Sequence, residues 1–191
     1  MVGLLNIKNI TISGRIGSGA TTLAKKLSKI LGWEMIEGGA IMRRTQQEVG
    51  ASIIETDKRP DHFDLEYEEM VRKILKEEEH RIVQSHLAGF DAKRIDGVFK
   101  ILLVCDDEKG RDKKEIRVDR LVNRDGISVK NAKFEINERE KRNLDKWRRL
   151  YAQGDEAWVY WDKKYYDLVI NTYSHNKDET LRIALDAIGY R

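Results

Sequence analysis

The strongest chemistry in the chain lies in nine consecutive residues, Gly14-Arg15-Ile16-Gly17-Ser18-Gly19-Ala20-Thr21-Thr22. They match the phosphate-binding pattern G-x-x-x-x-G-K-[ST] at both end glycines and the hydroxyl, with Ala20 where the pattern has lysine. Glycines let successive backbone N–H groups turn inward around an anion without Cβ clashes. A helix starting at Gly19 would add the positive end of its dipole. The Thr21 hydroxyl is placed to meet Mg²⁺ carried by the polyphosphate.

The missing lysine sets a charge problem, because that residue ordinarily neutralises the transferring phosphoryl group. Arg15, within the loop, could supply part of the charge. A richer source is the stretch from Glu108 to Arg149, which has 15 Lys and Arg against 9 Asp and Glu, a net +6. The whole chain is only +3, so the remainder is about −3. Arg117, Arg120 and Arg124 recur at spacings of three and four, which puts them on one face of a helix.

The elements that must position these groups alternate. Asn9 to Ser13 reads as a β-branched strand running into the loop. Thr21 to Leu31 reads as a helix with Leu23, Leu27, Ile30 and Leu31 inward and Gly32 as its stop. Trp33 to Ile36 is expected as a second strand. Ala40 to Val49 and Phe63 to Glu79 are expected as helices, the latter with Leu65, Met70, Ile74 and Leu75 as its inner face. Arg81 to Gln84, Val98 to Cys105 and Asp167 to Asn171 read as three more strands. Lys113 to Arg124 and Ser128 to Tyr151 read as charged helices about Asp125-Gly126, and Asp178 to Ile188 as the last helix. This alternation predicts a parallel sheet with helices on both faces, whose ligands bind outside the carboxyl ends of the strands.

Composition excludes several classes. With 191 residues the chain holds one α/β domain and not two. A single cysteine, Cys105, excludes an intrachain disulfide framework, and its apolar surroundings predict a buried thiol. One Cys and four scattered His make no zinc site. The N-terminus lacks a signal-peptide profile and no apolar run approaches the ~20 residues that span a bilayer. The expectation is a cytoplasmic protein, monomeric or weakly dimeric, without a membrane or nucleic-acid partner. The basic stretch lacks the interleaved aromatics of a nucleic-acid surface.

Taken in order, the glycine loop, Gly39-Ala40-Ile41-Met42-Arg43, Asp125-Gly126-Ile127, Glu138-Arg139-Glu140 and Tyr166-Asp167-Leu168-Val169-Ile170-Asn171-Thr172 resemble cytidylate kinases of the archaeal type. The resemblance covers nearly the whole chain, with irregular stretches around 51–62, 105–115 and 152–165. It implies a three-layer α/β/α P-loop NTPase fold with a five-stranded parallel sheet and a helical lid. The implied core is 1–37, 80–105 and 165–191, the acceptor-binding region about 38–79, and the lid about 108–150.

The resemblance further implies ATP on residues 14–22 with Mg²⁺ near Thr21, and a nucleotide acceptor, CMP or dCMP, near Gly39, Arg43, Asp61, Asp64 and His86. Arg120, Arg124 and Arg139 would then be the cations closing over the phosphates. The chain departs from the family pattern after the third strand. Where the family has approximately V-L-E-G-R-L-A, this chain reads Val83-Gln84-Ser85-His86-Leu87-Ala88-Gly89; aligned on Leu87-Ala88, Gln84 replaces a glutamate and His86 an arginine. Two other readings remain open on these residues: a P-loop kinase with a different small acceptor, and a nucleotide-binding regulator that has lost catalysis.

Overall fold

The computed structural model describes residues 6–42 and 59–190. Five strands, β1 (Asn9–Gly14), β2 (Glu34–Glu37), β3 (Arg81–Gln84), β4 (Val98–Val104) and β5 (Leu168–Asn171), form one parallel sheet in the order β2-β3-β1-β4-β5. β1 is buried along its whole length, as a central parallel strand covered on both faces must be. It pairs Ile10 with Ile82 of β3 on one side and Ile12 with Ile101 of β4 on the other. The chain leaves β1 toward β2 and later crosses to β4 on its other side. The crevice of this sheet therefore opens at the carboxyl ends of β1 and β3.

Each face is covered by helices, as the alternation predicts. Helix α1 (Ala20–Leu31) and the last helix pack over Ile10, Ile12, Ile82, Leu103 and Ile170. The opposite face carries Val83 and Val98 under helix α2 (Asp61–Glu77) and the short α3 (Ala88–Asp91), with Tyr67, Val71, Leu75 and Ala88 between. Gly32 ends α1 with φ 68°, the left-handed stop expected of it. The last helix runs Lys177–Ala187 behind a capping box formed by Asn176 and Glu179.

Two inner faces differ from expectation. In α1 the buried residues are Ala20, Leu23, Ala24 and Leu27, and Ile30 is exposed at the edge of that stripe. In α2 the inward residues are Asp64, Tyr67, Glu68, Val71 and Leu75, whereas Leu65 and Met70 are 44% and 36% exposed. A hydrophobic stripe was the wrong guide there, because two carboxyl groups occupy the buried positions: Asp64 is answered by Arg59 and Lys146, and Glu68 faces Asp91. The expected helix Ala40 to Val49 lies mostly outside the described residues; residues 38–42 are helical.

The charged segments form helix α4 (Lys114–Asp125), then α5 (Val129–Phe134), a π-helical turn (Glu135–Arg139) and α6 (Glu140–Tyr151). The expected single helix from Ser128 is thus continuous in direction but widened at its centre, a device that re-aims side chains. Ile16 of the glycine loop packs against Val118, Leu121, Ala132 and Ile136, so these helices sit directly on the loop. The last helix, in chain order, is α7. Cys105 is buried, and among the described residues no helix is long and apolar enough to cross a membrane.

Candidate active site

The glycine loop joins β1 to α1 and its shape forbids side chains at three positions. A Cβ on Gly14 would lie 2.9 Å from the Leu103 carbonyl oxygen, and one on Gly17 would lie 2.7 Å from that of Arg117. Gly17 and Gly19 hold φ of 78° and 102°, where L-residues are strained. The first helical bond runs from Leu23 N to Gly19 O. The amides just before Leu23 therefore lack helical acceptors and form an anion site at the dipole's positive end. Ser18 Oγ is buried without a hydrogen-bond partner.

The loop stands between two cavities. One, of about 610 Å³, is lined by residues 14–21, by Gly38, Gly39 and Met42, by Gln84 to Leu87 at the end of β3, and by α2, Arg124, Arg139 and Trp147. The other, of about 650 Å³, lies on the far side of the loop, against Arg120, Thr172 and the start of α7.

The arginines have distinct tasks. Arg117 is 0% exposed and donates to Ile16 O at 2.7 Å, to Glu140 Oε2 at 2.8 Å and to Asp112 Oδ2 at 2.7 Å. Arg15 joins the same group through Glu140 Oε1 at 3.0 Å and Asp112 at 3.1 Å, and its guanidinium stacks 4.4 Å from the Trp161 ring. Burial pushes the Glu140 carboxyl up, but Arg117 and Arg15 together hold it below its usual range. Two cations face two carboxylates, so Arg15 brings no spare charge to a phosphate. That corrects the expectation that it would.

Arg120 donates to Thr172 Oγ1 at 2.8 Å and to Thr172 O at 2.7 Å, which turns it into the second cavity. It is not among the cations of the first. Arg124 lies where the two cavities meet, bound through two nitrogens to Asp125 at 2.6 and 2.7 Å. Arg139, carried on the π turn, lines the first cavity and pairs with Glu135.

His86 lines the first cavity with Nδ1 2.9 Å from the Gly14 carbonyl oxygen and 3.3 Å from Tyr160 Oη. Its ring packs 5.6 Å from Trp147. Burial, followed by the nearby Arg139 charge, pushes its pKa down to about 4. The ring is thus neutral at pH 7, with the Nδ1 proton directed to Gly14 O, and it supplies no cation where the family arginine stood. Its folded pKa lies below the ordinary 6.5, so this histidine contributes stability above pH 6.5 that is lost as pH falls toward 4. Because the ring is partly open to the cleft, we expect His86→Gln to recover about 1–2 kcal/mol relative to wild type between pH 7.5 and 4.5 in urea unfolding. Parallel pH profiles for the two proteins would refute this.

At the far end of the first cavity Asp64 is buried between Arg59, with Nε–Oδ2 3.0 Å, Lys146 Nζ at 2.7 Å, and Trp147 Nε1 at 3.4 Å. Asp61 reaches only the outer side of this cluster, 3.6 Å from the same Lys146. It is held at the surface by Arg149 through two bonds of 2.7 and 2.8 Å and does not line the cavity, which corrects its expected place. Gly39 lines the cavity; Arg43 lies outside the described residues. Sequence reading missed Lys25, Arg59, Glu68, Asn143 and Trp147, all of which line this cavity. The spacing 64, 67, 68, 71 on α2 would have revealed Glu68, had polar residues been admitted to the inner face.

Thr21 Oγ1 donates to Gln84 Oε1 at 3.1 Å. Both are hard oxygen donors of the kind Mg²⁺ accepts. No cluster of three or more His, Cys, Asp or Glu suited to a metal occurs among the described residues. The two oxygens fit an ion that arrives with phosphate oxygens and keeps its waters.

An amide-lined glycine loop at the start of the first helix, on a parallel sheet of this order, with a cation-flanked cleft beside it, defines a P-loop phosphotransferase. Solved structures agree on the fold: shikimate kinase from Acinetobacter baumannii superposes with TM-score 0.57 at 18% identity, covering 95% of this chain and 93% of its own. Gluconokinase from Sinorhizobium meliloti gives TM-score 0.55 at 13% identity, covering 95% and 91%. No protein-family model matches. Cytidylate kinase from Thermococcus kodakarensis is 35% identical over 183 residues, 95% of this chain and 88% of the relative. That from Methanopyrus kandleri is 34% identical over 191 residues, 94% and 92%. The chain belongs to the cytidylate kinase family.

Proposed function

We propose that the chain transfers the γ-phosphoryl group of MgATP to CMP or dCMP. The observation that carries this reading is the position of the glycine loop between two cavities. A triphosphate seated on its amides has room for its nucleoside on the Arg120 side and for a second phosphate on the Arg139 side. An oxygen of the acceptor phosphate attacks the γ-phosphorus, the bond to the β,γ-bridging oxygen breaks, and ADP leaves. A phosphate oxygen is already nucleophilic, so no general base is needed and catalysis is positioning plus electrostatics. Mg²⁺, held by Thr21 and Gln84 together with the phosphates, would offset charge on the β- and γ-oxygens. Arg139 would meet the transferring group, Arg124 the mouth between the cavities, and Gly39 and Arg43 the acceptor. The helices from 108 to 150 act as the lid in this reading. A buried thiol and nucleotide substrates suit the cytoplasm.

Arg120 is reassigned to the donor nucleoside. Arg120→Ala is expected to raise KM for ATP about tenfold or more, with KM for CMP changed less than about threefold. A coupled assay with ATP and a panel of monophosphates tests both statements. No turnover with any monophosphate overturns the kinase reading. Ala20 and the neutral His86 favour, as the second reading, a nucleotide binder without catalysis, which tight binding without turnover would select.

A further inference from the structure

The blind end of the first cavity holds polar groups that the reaction described above does not use. Glu68, on the inner face of α2, lines it at 3% exposure. Tyr67 and Ser85 line it too; their hydroxyls are buried and near each other, and neither has a hydrogen-bond partner in good geometry among the described residues. Buried polar groups left in this state at a cavity wall are complementary to a polar ligand edge.

Glu68 stands among acids. Asp64 is matched by Arg59 and Lys146, and Arg72, the cation whose charge reaches Glu68, is bound to Asp91 Oδ1 at 2.7 Å. Glu68 Oε2 and Asp91 Oδ2 are both fully buried without a donor, although the two carboxyls lie within hydrogen-bonding reach of each other. One proton between them satisfies both oxygens, and two adjacent buried carboxyls cannot both ionise. Burial, then Asp91 and Asp64, drive the Glu68 carboxyl well above its usual range; burial raises the Asp91 carboxyl too, but there Glu68 and the Arg72 ion pair oppose it, so Asp91 is the better placed of the two to keep the charge. The proton accordingly sits on Glu68 Oε2 and points to Asp91. Of the two oxygens of this cavity-lining residue, the one then left over, Oε1, is a carbonyl that accepts and cannot donate.

We propose that Glu68 selects the acceptor base, using this fixed carbonyl oxygen to accept from the exocyclic amino group of a 4-amino pyrimidine and to reject the 4-keto group of uracil. Asp91 and Arg72 are positioning residues that hold the proton away from the cavity. The inference rests on the kinase reading only for which nucleotides are tried, since base preference is legible in binding alone. A keto oxygen brought against Oε1 leaves two acceptors facing without a proton, and a site that hydrogen-bonds one partner rejects the analogue lacking it strongly.

The test measures thermal shift and, separately, kcat/KM with CMP and UMP for wild type, Glu68→Gln and Glu68→Met. Wild type is expected to favour CMP about 100-fold or more. Glu68→Gln, whose amide can donate to Asp91 and turn its carbonyl inward, is expected to keep that ratio within about threefold. Glu68→Met is expected to cut CMP binding about 100-fold while UMP changes less than about threefold. Equal losses for the two nucleotides, an unchanged ratio in Glu68→Met, or a wild type indifferent between CMP and UMP would each overturn the proposal. If Glu68→Met does not fold, Glu68→Asp, which withdraws the oxygen by one methylene, takes its place with an expected loss of about tenfold for CMP alone. CMP-selective shifts that depend on Glu68, without turnover, would sink the kinase reading and leave this one standing.

Discussion

Arg139→Ala is expected to lower kcat by about 10³-fold, with ATP affinity and melting temperature nearly unchanged. The reasoning is by accounting for charge around the loop. Ala20 supplies no ammonium. Arg15 and Arg117 are matched by Glu140 and Asp112, Arg120 is turned to Thr172, and Arg124 is clasped by Asp125. Lys25 lines the same cavity, but its side chain is largely exposed and it faces Glu37 at 3.9 Å. Arg139 is the better-enclosed cation there, on a helical turn whose π geometry aims it inward. Its partner Glu135 is a half-buried surface acid that holds the guanidinium without sequestering it. Cations contacting a transferring phosphoryl group contribute roughly 10³ to 10⁵ in rate, and preorganised ones at other developing anions about 10² to 10³. The loss should fall on kcat, because the interaction strengthens only as charge develops. Arg139→Lys keeps the charge without the planar fork and is expected to recover about a tenth of the activity. The measurement is steady-state kinetics beside ATP-induced thermal shift. A loss of tenfold or less in Arg139→Ala would assign Arg139 to structure.

What the sequence made legible was local. The glycine loop is a contiguous pattern whose geometry follows from its residues, and β3 falls on Arg81–Gln84 as expected because a short apolar pair is bracketed by polar residues. The inner face of α2 was illegible for a different reason. Asp64 could be placed near the acceptor only through the family resemblance, and Glu68 not at all, since nothing near them in the chain says that Lys146, 82 positions on, or Asp91 will meet them in the core. The arginines show the same limit. Spacing put Arg117, Arg120 and Arg124 on one helical face, but α4 lies across the glycine loop. One turn of that face therefore enters the interior, the next reaches the second cavity, and the last reaches the mouth between cavities. Periodicity fixes direction around a helix, whereas the task of each guanidinium depends on what the neighbouring loop presents along its length.

Arg117→Met is expected to destabilise the protein by about 3–5 kcal/mol, because it removes one partner of a buried ionic group and leaves the other charged. For a chain of this size that corresponds to a fall of roughly 10 °C in melting temperature. Glu140 would keep Arg15 alone, the Ile16 carbonyl would lose its donor, and Asp112 would lose its 2.7 Å contact. The effect should reach the site, since the same guanidinium braces the loop at Ile16 while the Arg117 backbone oxygen abuts Gly17. ATP affinity is therefore expected to fall about tenfold as well. Acid titration separates the ionic share. Glu140 has its folded pKa lowered, so its contribution is present above its unfolded value near 4.5 and lost as pH falls through the folded one. Wild type should consequently lose stability more steeply than Arg117→Met below pH 4.5, and the two curves should converge. If they stay parallel in urea unfolding across that range, the cluster acts through packing alone. The double variant Arg117→Met/Glu140→Gln is the complement. By removing the stranded charge it should regain about half of the lost stability, yet it should not regain ATP affinity, because the brace on Ile16 is still missing.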